Sequence, residues 1–223
     1  MTQIDTNKLV TVDNLTWGYP SQRILFHEFD FQLSKGDFCF VVGDSGSGKT
    51  SLMKLITGQI QAPAHSVYIQ WEDVNRLSTD EIQALRRRLW VIYQDYKLLV
   101  DRSVIENITL PLHIQWIDEK ASHEHAKALA QEFNFVDKLH TKVAFLSGWE
   151  KQKVAIMRAL ITLPQFIIAD EPTGNLDWAA STMIADMLIH CNKKWHTILF
   201  ITHDQNLIRY VQDILPGVRV VSV

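Results

Sequence analysis

Apolar and polar residues alternate through Val10, Thr11, Val12 and Asp13, and again through Phe29, Asp30, Phe31, Gln32 and Leu33. A period of two belongs to a strand with one buried face, so the start of the chain reads as an antiparallel β layer. Later segments are almost continuously apolar: Phe38–Val42, Leu89–Tyr93 and Thr197–Ile201, together with residues 165–169. Such runs fit strands covered on both faces, and the helical spacing between them predicts an α/β core with a mostly parallel sheet. Residues 66–71 read as one further strand.

Helical patterns fill the intervals. A helix follows the glycine-rich segment at 43–48 and stops at Gly58, the expected C-cap. Ser78-Thr79-Asp80-Glu81 has capping-box spacing and opens a helix that runs through Leu85 to Arg86, Arg87 and Arg88, read as a solvated, dipole-complementing end. From residue 103 to about 160 the strand signal disappears. Ile105, Ile108 and Leu112 form one stripe, and Ala126, Leu129, Ala130 and Phe133 form another. This predicts an inserted helical subdomain. His123 and His125, two apart on the second helix, point to different faces and do not chelate one ion. A helix over 178–191 precedes the last apolar strand run. The expected organisation is a single domain over 1–223, with its core at about 1–93 and 162–223 and the helical insertion at about 94–161.

Composition narrows the picture. A chain of 223 residues supports one sizeable core, and a net charge of -3 lacks the basic excess expected of a nucleic-acid binder. Cys39 and Cys191 have no spacing that suggests a metal or redox pair, and both read as buried thiols of a reducing compartment. With no basic-then-apolar leader and no run of about 18 apolar residues, the expectation is a cytoplasmic protein that reaches a membrane only through a partner.

The chemistry is concentrated at Gly43-Asp44-Ser45-Gly46-Ser47-Gly48-Lys49-Thr50. The spacing Gly-x4-Gly-Lys-Thr between an apolar strand and a helix is that of a P-loop, in which converging backbone N–H groups and a helix N-terminus hold phosphates. Lys49 is expected at the β and γ phosphates and the Thr50 hydroxyl on Mg²⁺. Asp44 beside the phosphates must point outward or be offset by Lys49 or the cation. The strand at 165–169 runs into Asp170 and Glu171. Asp170 is the candidate Mg²⁺ holder with Thr50 and Gln94, Glu171 the candidate general base, and His203 a contact to the γ-phosphate and attacking water. Gly43, Gln94, Asp170 and His203 all follow predicted strands, the place where a parallel sheet puts its ligand. Tyr19, in the turn Trp17-Gly18-Tyr19-Pro20, either stacks on adenine or belongs to the core; the residues leave both open.

These motifs resemble those of the nucleotide-binding subunits of ATP-binding cassette systems, over nearly the full length. Residues 146–160, beginning Leu146-Ser147-Gly148-Trp149-Glu150, resemble the family signature helix, and Asp170-Glu171-Pro172-Thr173-Gly174-Asn175-Leu176-Asp177 resembles Walker B running into the D-loop. Gln94 is similar to the Q-loop glutamine, His203 to the switch histidine and Tyr19 to the adenine-stacking residue. The resemblance implies ATP and Mg²⁺ as ligands, with residues 43–50 and Ser51 around the phosphates. It implies a head-to-tail homodimer in which Ser147, Gly148, Glu150 and Asp177 serve the partner's nucleotide. Residues 86–112 are similar to the cell-division ATPases of the FtsE type, which pair with the membrane protein FtsX; lipoprotein-release and macrolide-export ATPases, which serve exporter permeases, come next. The resemblance thus implies an ATPase on the inner face of the membrane. One departure stands out: Trp149 occupies the signature's second glycine position, which points to slow turnover and to an alternative role as an ATP-dependent division scaffold.

Overall fold

The computed structural model describes residues 7–20 and 23–223. Strands β1 (Lys8–Gly18) and β2 (Ile24–Ser34) pair antiparallel, and β4 (Val67–Ile69) and β5 (Glu72–Asp73) extend this layer in the order β2-β1-β4-β5. The second sheet is parallel throughout: β3 (Phe38–Val42), β6 (Leu89–Tyr93), β7 (Phe166–Asp170), β8 (Thr197–Ile201) and β9 (Arg219–Ser222), in the order β6-β7-β8-β3-β9.

Strand alternation divides the interior in two. Phe38, Phe40 and Val42 of β3, with Ile167, Ala169, Ile198 and Phe200 from its neighbours, face a core shared with the helices. Cys39 and Val41, with Phe166, Ile168, Leu199 and Ile201, face a second core against the antiparallel layer and α1 (Lys49–Ile56). Both faces of the central strands are therefore dry, which is why they are apolar without interruption. The rings of Phe40 and Phe200, 5.0 Å apart, pack across β3 and β8 in the first core. Cys39 and Cys191 are buried as expected, and burial pushes both thiols up to about 12.

Helices α3 (Val104–Ile114), α4 (Glu119–Glu132) and α5 (Gly148–Leu160) occupy the interval between β6 and β7 and form the inserted helical part. Helices α2 (Thr79–Arg88), α6 (Trp178–Lys193) and α7 (Gln205–Ile214) complete the fold. Capping boxes start α2 (Ser78 and Glu81), α3 (Ser103 and Glu106) and α5 (Ser147 and Glu150), each satisfying N–H groups that a helix start leaves open. Burial alone would raise the Glu150 carboxyl, but hydrogen bonds from the Ser147 N–H and hydroxyl, with Lys138 at 3.3 Å, bring it below its ordinary range.

Three local expectations need correction. Residues 66–71 are not one strand: β4 stops at Ile69, and Gln70 and Trp71, both at positive φ, turn the chain into β5. Trp17 and Gly18 lie within β1, because the strand stays paired with β2 up to Gly18 and Ile24. The arginine triplet does more than close its own helix. Arg86 donates to the carbonyls of Thr57 (3.1 Å) and Gly58 (2.8 Å), capping the C-terminus of α1.

Candidate active site

Four neighbouring parallel strands deliver the chemical groups to one end of the sheet. The glycine loop follows β3, Gln94 follows β6, Asp170 ends β7 and His203 lies just beyond β8. A cleft of about 770 Å³ opens there, lined by Tyr19, Asp44, Ser45, Gly46, Gly48, Lys49, Thr50, Ser51, Gln94, Glu171 and His203, with Arg23 and Leu25. A second cleft of about 700 Å³ shares Thr50 and Gln94 and includes Asp170, Asp95 and Asn175.

The loop is shaped for a close ligand. Gly46 and Gly48 have φ of 78° and 117°, which side chains rarely tolerate, and a Cβ at Gly48 would meet the Phe26 ring at 3.0 Å. A Cβ at Gly43 would collide with the Val223 carbonyl and the Ser47 hydroxyl. The Ser47 hydroxyl is buried without a hydrogen-bond partner, as expected of a donor placed for a phosphate oxygen. Lys49 is buried and donates to the carbonyls of Gly43 (2.7 Å) and Asp44 (2.9 Å), while the Asp44 side chain is exposed, the outward arrangement a carboxylate needs beside a phosphate site.

The candidate cation position joins the first residues of α1 to the end of β7. The Thr50 hydroxyl lies 3.1 and 3.3 Å from the two carboxylate oxygens of Asp170. Burial pushes the Asp170 carboxyl above its ordinary range, the neighbouring Glu171 adds to this, and Thr50, Lys49 and Lys54 oppose it. A hydroxyl and a carboxylate, with Gln94 lining the same cleft, offer the hard oxygen donors that Mg²⁺ prefers. The Gln94 amide itself donates to Asn175 at 3.4 Å.

Glu171 owes its place in the cleft to a backbone kink. It sits at φ 47°, its N–H donates to the Ile201 carbonyl (3.0 Å), and this kink at the end of β7 turns its side chain toward β8. There His203 Nδ1 lies 2.8 Å from Glu171 Oε1, a contact in which the ring nitrogen donates and the carboxylate accepts. Acid and histidine thus act as one pair at the cleft. Tyr19 also reaches the cleft, its phenol oxygen accepting from Ser51 at 3.3 Å and its ring edge-on to Trp17 at 4.7 Å.

Two residues escaped the sequence reading. Arg23 lines the cleft and donates to the Gly46 carbonyl at 2.8 Å, but a single arginine after a turn carries no spacing signal. Arg158, buried in α5, donates to the carbonyls of Tyr96 (2.9 Å) and Lys97 (2.7 Å), and burial lowers its pKa. It ties the segment after Gln94 to the signature helix. An arginine inside the apolar stretch Ile156-Met157-Arg158-Ala159-Leu160 was the available sign.

Ser147, Gly148, Glu150 and Asp177 lie outside both clefts of their own chain. Ser147 and Glu150 make the capping box of α5, and Asp177 accepts from the Ala180 N–H (2.8 Å) as the N-cap of α6. Trp149 is half-buried, with Lys153 5.6 Å from its ring centroid, and lines a separate cleft of about 300 Å³ with Met183 and Met187.

A glycine loop, a hydrogen-bonded Thr50–Asp170 pair and a Glu171–His203 pair at the carboxyl ends of adjacent parallel strands define a P-loop nucleoside triphosphatase. The family model described as ABC transporter matches residues 26–174, and the chain belongs to that family as an ABC-type ATPase subunit. It is 41% identical over 180 residues to the cell division ATP-binding protein FtsE of Haemophilus influenzae, covering 81% of this chain and 83% of that protein. It is 35% identical to the lipoprotein-releasing system ATP-binding protein LolD of Buchnera aphidicola, covering 84% and 83%. The fold matches the dimeric ATP-binding cassette MJ0796, in a post-hydrolysis state bound to ADP and Pi, with TM-score 0.82, 26% identity and coverage of 96% and 94%. No helix among the described residues is long and apolar enough to cross a membrane.

Proposed function

We propose that this chain is the ATP-hydrolysing subunit of a cell-division complex of the FtsE type, in which ATP closes a head-to-tail homodimer and an integral membrane subunit like FtsX receives the motion. The observation that carries hydrolysis is the 2.8 Å contact between His203 and Glu171 beside the Thr50–Asp170 pair. Lys49 and the loop N–H groups hold the β and γ phosphates, and Tyr19 stacks on the adenine. Thr50, Asp170 and Gln94 would hold Mg²⁺, which would supply charge neutralisation on the phosphates. Glu171 takes the proton of the attacking water, and His203 keeps that carboxylate aimed at the cleft. Ser147, Gly148, Glu150 and Asp177 serve the nucleotide of the second subunit, consistent with their distance from the cleft of their own chain.

A membrane subunit has a surface to grip on the helical insertion. Leu99, Val100 and Phe145 are exposed there, held together where the Ala144 N–H donates to the Val100 carbonyl at 3.0 Å. Arg158 links the same segment to the signature helix. This attachment puts the protein on the inner face of the cell membrane. The 41% identity to FtsE of Haemophilus influenzae, against 35% to LolD, favours cell division over lipoprotein release.

The test is co-purification from detergent-solubilised host membranes with and without MgATP. Recovery of an FtsX-like protein is the expected result. Recovery of an exporter or lipoprotein-release permease instead would overturn the division reading and leave the ATPase assignment standing.

A further inference from the structure

Among the described residues, four helices end in the same way. In α1, α3, α4 and α6 the residue after the C-cap has positive φ and its N–H returns to the carbonyl three residues earlier, while the next N–H reaches five residues back. For α1 these bonds are Gly58 to Leu55 (3.2 Å) and Gln59 to Lys54 (2.8 Å); for α4 they are Asn134 to Gln131 (3.2 Å) and Phe135 to Ala130 (2.8 Å). This is the Schellman ending, whose left-handed position takes glycine, or sometimes asparagine, because a larger side chain is strained there. In α3 that position is Trp116 (φ 60°) and in α6 it is Trp195 (φ 78°), with the same bonds: Trp116 to His113 (3.0 Å), Ile117 to Leu112 (3.0 Å), Trp195 to Asn192 (2.8 Å) and His196 to Cys191 (3.3 Å).

A third tryptophan breaks the same rule in another motif. Ile69 pairs with Glu72, leaving Gln70 and Trp71 as a two-residue hairpin loop with φ of 47° and 75°. Positive φ at both positions is the type I′ turn, whose second position is normally glycine. The indoles explain none of this: Trp116 is 93%, Trp195 87% and Trp71 41% exposed. Tyr96, another aromatic at positive φ, is by contrast held in place by Arg158 on its carbonyl. Composition agrees. The chain has nine glycines and seven tryptophans, whereas average usage of ~7% would give about 16 glycines in this length.

We propose that positions 71, 116 and 195 are glycine in the protein as its host cell makes it. The codon UGA links the two residues, since some cells read it as tryptophan and others as glycine. A host that decodes UGA as glycine would place glycine at each of these turns, where a reading under the other code gives tryptophan. The inference rests on backbone geometry and not on the proposed function. Its functional reach is Trp149: the same codon there would give Leu-Ser-Gly-Gly-Glu, with no side chain on the residue after Gly148.

The gene and the host protein decide the matter. Expected are UGA codons at 71, 116 and 195, and host-purified peptides over these sites that are each lighter by the mass difference between tryptophan and glycine. UGG codons, or tryptophan in the host peptides, overturn the proposal. In a conventional expression host, the triple variant Trp71→Gly, Trp116→Gly, Trp195→Gly should melt several degrees above the tryptophan form; an equal or lower Tm overturns the claim that these turns are built for glycine. The same spectra read position 149. Glycine at the three turns with no ATPase activity in the host protein would sink the hydrolysis reading while leaving this one intact.

Discussion

The two halves of the nucleotide machinery are built differently within one chain. At the carboxyl ends of β3, β6, β7 and β8 the candidate residues already touch one another: Thr50 meets Asp170, and His203 meets Glu171. At the starts of α5 and α6 the candidates are occupied as helix caps and open onto no phosphate-binding cleft of their own chain. The first half is assembled within the chain; in the proposed dimer the second presents its N–H groups to the nucleotide of another subunit. A helix N-terminus serves both purposes, since the geometry that caps a helix also aims its free N–H groups outward.

The strongest way to break this comparison is at Glu171. Glu171→Gln should lower the rate of phosphate release by roughly 10²–10⁴-fold with nucleotide binding kept, as loss of a general base does; an unchanged kcat would remove Glu171 from its role. Next comes complementation between halves. Lys49→Ala and Gly148→Asp should each be inactive alone, yet a mixture should recover turnover, because one composite site then combines an intact loop with an intact signature. Recovery absent from mixed dimers would place both halves in one chain.

Asp170 sharpens the contrast from the side of stability. Its folded carboxyl lies above the ordinary range because of burial, so the folded state binds this proton more tightly than the unfolded chain. Stability is therefore lost as pH rises through the window above the ordinary carboxylate value of about 4, and the deficit is complete above the folded value. Asp170→Asn should melt higher than the parent at neutral pH, with the gap closing in acid, while losing Mg²⁺-dependent hydrolysis. The smallest effect belongs to a cap away from both halves. Ser103→Ala removes the box at α3 and should cost about 1 kcal/mol in chemical denaturation, without change in kcat.

Much of the candidate cleft was legible because its signals are local. The spacing of residues 43–50, the acids ending an apolar run and the histidine after another lie each within a few residues of their strand. The contacts between them were not legible. Glu171 alternation on a strand does not foretell the kink that brings it to His203, 32 residues away. Nor does a run of three arginines reveal that Arg86 caps α1 across 28 and 29 residues.

What the chain itself determined are the elements and their chemical inventory: period-two and continuous apolar runs, capping boxes, the glycine loop and the family they identify. Hydrophobic periodicity and capping depend on neighbours a few residues apart, so they can be read directly. Tertiary structure alone decided the partners: the order β6-β7-β8-β3-β9 that lines up four strand ends, the Gln94–Asn175 contact and the Arg158 tie to the segment after Gln94. Those depend on which buried faces pack together, and a parallel sheet sets that by its strand order, which no local period encodes.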